Sequence, residues 1–372
     1  MQFINIANEG VKSLSPYQAG KPIEELEREL GIQNIVKLAS NENPFGFPES
    51  AKQAIIQQLN DLTRYPDSNG FELKKAIAEK FDLDMSQITL GNGSNDLLEL
   101  FAHTFASEQD EIIYSQYAFI VYPLVTKAIN AIAREVPAKN WGHNLSGFLK
   151  VINQKTKLIY IANPNNPTGN FLSQSEIEHF LFQVPEHIIV VLDEAYTEFT
   201  APEERINSFA LAKQYPNLII CRTFSKAYGL AGLRIGYAVS HPEIADLLNR
   251  VRQPFNCNSL ALAAAIAVIN DNEFVKKVAE NNRLEMKRYE DFCLKHQLHY
   301  IPSKANFITI DFKQPASKIY EDLLREGVIV RPIAGYGLPN HLRVSIGLPE
   351  ENTKFFTALT AILKKIIILA TQ

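Results

Sequence analysis

KLIYIANPNNPTGN, residues 157–170, sets the frame for reading the chain. A run of Leu, Ile, Tyr, Ile and Ala stops abruptly at a stiff loop of asparagines and prolines. The run is too short for an ordinary helix and too evenly apolar for a strand with one wet face, so it reads as a strand buried on both faces. Similar runs recur at QITL (87–90), EIIYS (111–115), HIIVVLD (187–193) and NLIICRT (217–223). Helical patterns separate most of them, as in LLELFAHTFA (97–106), where Leu97, Leu98, Phe101 and Phe105 share one face. The alternation predicts an α/β fold: a large domain with a mostly parallel sheet flanked by helices. In open sheets of this kind ligands bind beyond the carboxyl ends of the strands. Function is therefore sought in the residues that follow each run.

From about residue 303 the pattern changes to that of a smaller α+β domain, with runs at ANFITIDF (305–312), VIVRP (328–332) and LRVSIG (342–347). The expected division is a large domain over 46–260, with 1–45 and 261–372 forming an N-terminal arm plus the small domain. Phe355, Leu359, Ile362, Leu363 and Ile366 have the spacing of a closing helix, and the apolar run 366–370 is too short to span a bilayer. A chain of 372 residues exceeds what one core usually serves, which agrees with two domains. Its net charge of −4 gives no basic footprint, so neither nucleic acid nor a membrane is expected as a partner. Three cysteines, Cys221, Cys257 and Cys293, lie too far apart for a disulfide framework or zinc cluster. They suit a reducing compartment, and the N-terminus lacks a signal-peptide pattern, so a cytoplasmic protein is expected. The eight histidines fall in no metal or triad spacing, and no metal is expected.

The strand ends carry the chemistry. After HIIVVL comes Asp193-Glu194-Ala195-Tyr196, and after NLIICR comes TFSKAYGLAGLRIG (223–236), with Lys226 among small and apolar residues. After QITL comes GNGSND (91–96), a glycine-rich turn opening a helix. Taken singly these are ordinary turns, caps and a lysine of the commonest, exposed kind. Taken together, four neighbouring strand ends offer an amide, a carboxylate with a tyrosine, a lysine and an anion cradle. An ammonium in apolar surroundings loses its proton more readily, and the free amine can form a Schiff base with an aldehyde cofactor. Pyridoxal 5′-phosphate would also need an anion at its ring nitrogen, for which Asp193 is the candidate. Tyr196 and Asn166 could donate to its phenolic oxygen. Thr223, Ser225, Arg234 and the backbone amides around Ser94 and Asn95 could hold its phosphate. GNGSND also has the look of a dinucleotide fingerprint, but Asp96 takes the place of the third glycine, which makes nicotinamide binding the lesser reading.

As a set, NPNNPTG, DEAY and TFSKAYGLAGLRIG resemble the fold-type I pyridoxal phosphate-dependent aminotransferases of the class II group, over about residues 16–347. The resemblance implies that Lys226 carries the cofactor and shuttles a proton between the substrate Cα and the cofactor C4′. Tyr117, in SQYAFIVY (115–122), matches the position whose ring stacks on the pyridine; Ser115-Gln116 departs from the family's run there, and a core tyrosine is the plain alternative. Further stretches are similar to the histidinol-phosphate aminotransferase branch. SPYQAGKP (15–22) implies a substrate-lining role for Tyr17, and LASNENPFG (38–46) one for Asn43. RYPD (64–67) implies that Tyr65 reaches the cofactor phosphate of a neighbouring subunit, hence a homodimer with shared active sites. GVIVRPIAGYGLPNHLRVSIG (327–347) supplies Arg331 and Arg343, which in that branch would bind the donor's carboxylate in one half-reaction and a substrate phosphate in the other. The expected activity is transamination between L-histidinol phosphate and 2-oxoglutarate, a step of histidine biosynthesis. An aromatic amino acid aminotransferase and a threonine-phosphate decarboxylase-like enzyme remain open on the same scaffold. A pyridoxal phosphate-binding transcriptional regulator is disfavoured, because the match begins near residue 16 and leaves no room for a basic domain before it.

Overall fold

The computed structural model describes residues 2–17 and 19–370, the side chains of 366–370 excepted. Its strands in chain order are β1 (Val36–Lys37), β2 (Ile88–Gly91), β3 (Glu111–Ser115), β4 (Ile132–Val136), β5 (Thr156–Ala162), β6 (Ile189–Asp193) and β7 (Leu218–Thr223). They continue with β8 (Gly236–Val239), β9 (His299–Ile301), β10 (Phe307–Asp311), β11 (Val328–Ile329), β12 (Arg331–Pro332) and β13 (His341–Ser345). The large sheet has the order β2-β8-β7-β6-β5-β3-β4 and is parallel except for β8, which runs antiparallel to both its neighbours. Alternate residues go to opposite faces: Leu158, Tyr160 and Ala162 of β5 join one apolar cluster, Ile159 and Ile161 the other. Both faces are covered by helices, the reason these strands are apolar throughout.

The apolar-run criterion does not reach two strands of this sheet. β4 is an edge strand, and its first four residues are exposed, so it carries no apolar signature. β8 is the four-residue tail of the lysine stretch. Because β8 lies between β2 and β7, the four strand ends expected to be neighbours are three adjacent ones, of β5, β6 and β7, with the GNGSND turn one strand further out. The inserted strand compensates for this spacing. Being antiparallel, it begins where its neighbours end, so Arg234, just ahead of Gly236, arrives at the same edge of the sheet as Lys226.

The smaller unit is built on an antiparallel sheet, β12-β13-β10-β9, packed with the closing helix Pro349–Ala370 around Tyr289, Ile308, Leu342 and Phe355. Phe355, Leu359 and Ile362 are buried there and Leu363 packs against them, while the Ile366 side chain lies outside the described residues. β1 pairs in parallel with β11, which stitches the N-terminal segment to the small unit. The division expected at residue 260 falls inside the helix Ser259–Val268. That helix sends Ala261, Leu262, Ala264, Ala265 and Val268 into the large core, so the large unit continues to Ile269. The 24-residue helix Asn272–Lys295 then crosses over and delivers Met286, Tyr289 and Cys293 to the small core. Among the described residues, no helix is long and apolar enough to cross a membrane.

Candidate active site

The carboxyl edge of the large sheet, the N-terminal segment and the small unit enclose a cavity of about 200 Å³. Lys226, three residues beyond the end of β7, projects into it, and its Nζ donates to the Ser40 carbonyl at 3.1 Å. Burial first, and then the positive charge of Arg343, push the Lys226 ammonium down to about 8; Arg234 adds to this and Glu42 opposes it. The arginine adjacent in sequence, Arg222, takes no part. It ion-pairs with Glu194 at 2.9 Å and lies over the Phe209 ring at 4.3 Å, off the cavity wall.

Asp193 ends β6 on the cavity wall. Its Oδ2 accepts from the Tyr122 hydroxyl at 2.8 Å and its Oδ1 from the Ala195 amide at 3.2 Å. Burial drives this carboxyl up to about 6, and those two hydrogen bonds hold it from rising further. Tyr196 stands next to it, and its hydroxyl accepts from Asn41 Nδ2 at 3.0 Å and from Asn166 Nδ2 at 3.3 Å. Burial pushes this phenol up to about 12, which keeps it a protonated donor at neutral pH. Lys226 Nζ sits 5.8 Å above the Tyr196 ring.

A second corner of the cavity is made for an anion. Gly93 (φ +83°) precedes the helix Ser94–Phe105, whose first amides have no intrahelical partner. A Cβ at Gly93 would overlap Arg234 Nη2, so glycine is what lets the guanidinium lie against this turn. Arg234 Nη1 is anchored by the Ala231 carbonyl at 3.0 Å and contacts Ser225 Oγ at 3.4 Å. Thr223 Oγ1 accepts from the Ser225 amide at 3.0 Å. Thr223, Ser225, Ser94, Asn95 and Arg234 thus share one wall.

The opposite wall comes from the small unit and the N-terminal segment. Arg343, on β13, is buried; Nη1 donates to Asn166 Oδ1 at 2.6 Å and Nη2 to the Ala39 carbonyl at 2.8 Å. Its Nε has no hydrogen-bond partner, and no carboxylate pairs with it among the described residues. Arg331 lies at the rim, its Nη2 donating to the Tyr17 hydroxyl at 3.3 Å and its guanidinium 5.4 Å from the Tyr17 ring.

Three expected residues are not on the wall. Asn43 braces it from behind, its Nδ2 donating to the carbonyls of Lys226 (3.1 Å) and Ala227 (3.0 Å). Tyr65 is 81% exposed and stacks on Phe255 with centroids 4.6 Å apart, away from the cavity. Tyr117 also faces elsewhere. Its backbone is left-handed (φ +59°) and its ring packs on Trp141 at 5.7 Å, while Phe119, two residues on, is the aromatic residue of this stretch that lines the cavity. A count of residues from the strand end could not reveal which of the two aromatics lines the cavity. Ser40, Asn41 and Tyr336 also line the cavity without having been singled out. Asn41 stood inside LASNENPFG, where the choice between it and Asn43 depended on side-chain direction.

An amine of lowered pKa, a buried carboxylate, a phenol donor and two anion corners gather at one edge of an α/β sheet, the set of groups that a transaminating enzyme needs. The chain belongs to the family Aminotransferase class I and II, which it matches over residues 33–359. It is 81% identical over 364 residues to histidinol-phosphate aminotransferase 2 of Haemophilus influenzae strain 86-028NP, a match covering 98% of this chain and 100% of that protein. It is 76% identical over 363 residues to histidinol-phosphate aminotransferase 1 of Mannheimia succiniciproducens, covering 98% and 99%. Its fold is similar to that of histidinol-phosphate aminotransferase from Sinorhizobium meliloti in complex with pyridoxal-5′-phosphate, with a TM-score of 0.88, 29% identity, and 96% and 97% of the two chains covered.

Proposed function

We propose that the chain catalyses pyridoxal phosphate-dependent transamination between L-histidinol phosphate and 2-oxoglutarate, giving imidazole acetol phosphate and glutamate, a reaction of histidine biosynthesis. The observation that carries this reading is the buried Arg343, with an unpartnered Nε and no carboxylate partner among the described residues, in the same cavity as the Lys226 amine. A buried cation without a counter-ion is costly, and an anionic substrate group is what would offset it.

The residues present fit the cofactor: the Gly93 cradle against Arg234 suits a phosphate, and Asp193 a protonated ring nitrogen. Bound pyridoxal phosphate supplies an aldehyde that takes up amines and a ring that accepts the electron pair released at the substrate carbon. Thr223, Ser225, Arg234 and the amides of Ser94 and Asn95 hold the phosphate. Asp193 would hold a proton at the ring nitrogen, Tyr196 and Asn166 would orient the phenolic oxygen, and Phe119, which lines the cavity where Tyr117 does not, would offer its ring to the cofactor. Lys226 would anchor the cofactor through its amine, and the same amine, when free, would be the base that carries a proton between the substrate Cα and the cofactor C4′. Arg343, with Arg331 and Tyr17 at the rim, binds the carboxylate of glutamate in one half-reaction and the phosphate of histidinol phosphate in the other. One anion corner serving two substrates in turn requires ping-pong kinetics.

The working unit in this reading is a homodimer with shared sites. The exposure of Tyr65, and of Leu59, Leu62 and Phe71 near it in sequence, supports a partner subunit covering this face and Tyr65 serving the partner's phosphate corner. Three buried, unbonded cysteines support a cytoplasmic setting.

Turnover of histidinol phosphate, phenylalanine and tyrosine, each with 2-oxoglutarate as acceptor, tests the substrate. Histidinol phosphate should lead by orders of magnitude, and aromatic amino acids leading instead would overturn the substrate assignment while leaving the chemistry in place. Borohydride should bleach the yellow protein and fix the cofactor on Lys226. Mixed dimers of Tyr65→Phe and Lys226→Ala subunits test site sharing: activity unaffected by the Tyr65 change in the partner would argue against it.

A further inference from the structure

The Tyr122 hydroxyl lies at the heart of this site without touching the cavity. Tyr122 is the second residue of the helix Val121–Ala128, which follows β3, and it is fully buried. Its ring is clamped on two sides. It stacks on Tyr160 with centroids 4.6 Å apart and an interplanar angle of 0°, and Phe119 meets it edge-on at 5.9 Å. Tyr160 is fixed in turn by donating its own hydroxyl to the Leu98 carbonyl at 2.6 Å. A ring held this firmly leaves the Tyr122 hydroxyl one direction, toward Asp193 Oδ2 at 2.8 Å.

We infer that Tyr122 is a positioning residue for Asp193: its hydroxyl keeps the carboxylate ionised and aimed, and through it keeps a proton on the ring nitrogen of the bound cofactor. The inference rests on the cofactor reading above. A hydrogen bond donated to the ionised form favours that form. Without it the proton shared between carboxyl and ring nitrogen moves toward the carboxyl, and the ring loses the charge that makes it an electron sink.

The other groups facing Asp193 do not duplicate this role. Tyr160 from β5 and Cys221 from β7 are pushed well above their ordinary values by burial, and Tyr196 up to about 12, so all three stay neutral. Glu194 pairs with Arg222 at 2.9 Å, and its negative charge opposes ionisation of Asp193 rather than supporting it. The Ala195 amide is the other donor to the carboxylate, on its other oxygen. Tyr122 is thus the one side-chain donor to Asp193 among the described residues.

Two measurements test this. In apoprotein, carbon-13 labelling of aspartate follows the Asp193 carboxyl, which should titrate near 6 in the wild type. In Tyr122→Phe, which keeps the ring and its stacking, the midpoint should rise by about one to two pH units, the worth of one hydrogen bond to a charged group. In holoenzyme rebuilt with nitrogen-15 pyridoxal phosphate, the ring-nitrogen resonance of Tyr122→Phe should move toward the neutral-pyridine position, and the acid limb of kcat should move to higher pH. Tyr160→Phe serves as the control, since it loses a buried hydrogen bond that does not reach Asp193; both signals should stay in place. Should Tyr122→Phe fail to fold, a fluorinated tyrosine inserted at 122, a stronger donor of nearly the same shape, should lower the carboxyl midpoint. Unmoved midpoint and resonance in the Tyr122 variant, or equal movement in Tyr160→Phe, would overturn the inference. A wild-type protein that binds no pyridoxal phosphate would instead sink the functional reading, and the apoprotein titration would still decide the part played by Tyr122.

Discussion

Replacing Arg343 with lysine keeps a cation in the cavity and removes its fork. In the structure Nη1 is tied to Asn166 Oδ1 at 2.6 Å and Nη2 to the Ala39 carbonyl at 2.8 Å, while Nε is unpartnered. The two bonds aim the guanidinium plane, and a shorter list of donors on a flexible ammonium cannot keep both and still present a planar pair to an anion. The expected loss is about one hydrogen bond to a charged group, roughly 1.5–3 kcal/mol, or about 10- to 150-fold in kcat/KM. Asn166, which also donates to Tyr196, loses its acceptor-side partner in the same change, so part of the loss should fall on kcat. The assay measures kcat/KM for glutamate and for histidinol phosphate separately, each with its own 2-oxo partner. Both should fall by similar factors, because one anion corner is held to serve both. A fall confined to one substrate, with the other within about twofold of wild type, would refute the shared corner. The same outcome would remove the structural basis for ping-pong kinetics.

Other perturbations probe the remaining walls. Gly93→Ala meets both a left-handed backbone (φ +83°) and an overlap with Arg234; backbone strain of about 1–3 kcal/mol alone should weaken pyridoxal phosphate binding by about fivefold or more in a fluorescence titration of apoprotein, and an unchanged Kd would count against the cradle. Phe119→Ala should weaken cofactor binding several-fold, given about 0.5–1.5 kcal/mol for an aromatic stack, whereas Tyr117→Ala should stay within about twofold; the reverse order would restore Tyr117 to the role the sequence implied. The rate of apoprotein reconstitution should rise about tenfold per pH unit below about 8 and level off above it, since only the neutral Lys226 amine reacts. Arg343→Gln should move that midpoint upward, because it removes the strongest neighbouring positive charge, and a rate flat across this range would disprove the lowered amine pKa. The sign carries over to stability. Between about 8 and the ordinary lysine value the unfolded chain holds a proton at Lys226 that the folded apoprotein does not, so apoprotein stability should rise with pH across that window.

Much of this was legible along the chain. The five apolar runs became β2, β3, β5, β6 and β7 within a residue or two, because strands buried on both faces must be apolar at every position. Lys226, Asp193, Tyr196 and Asn166 were placed together because each follows such a run, and parallel strands put all their carboxyl ends on one edge. β4 and β8 were not legible, one because an edge strand can be wet, the other because four residues ending a glycine-rich stretch carry no period. The end of the large unit was misplaced for a related reason: the helix Ser259–Val268 is apolar nearly all round, so its pattern does not say which core it joins.

The primary sequence by itself determined the layered sheet, the edge where chemistry would gather, and the residue types that gather there. Those follow from local rules, the burial of apolar runs and the reach of the residues just past them. Only the tertiary structure decided which charges act on Lys226. Arg222, four residues before it, is paired with Glu194 away from the cavity, while Arg343, more than a hundred residues later on another sheet, is the charge that acts on it most strongly. Likewise only the structure shows Phe119 rather than Tyr117 on the wall, and the Tyr122 ring, stacked on Tyr160, with its hydroxyl on Asp193. Charge and hydrogen bonding act through space over a few ångströms, and the chain order holds no record of which side chains will be brought that close.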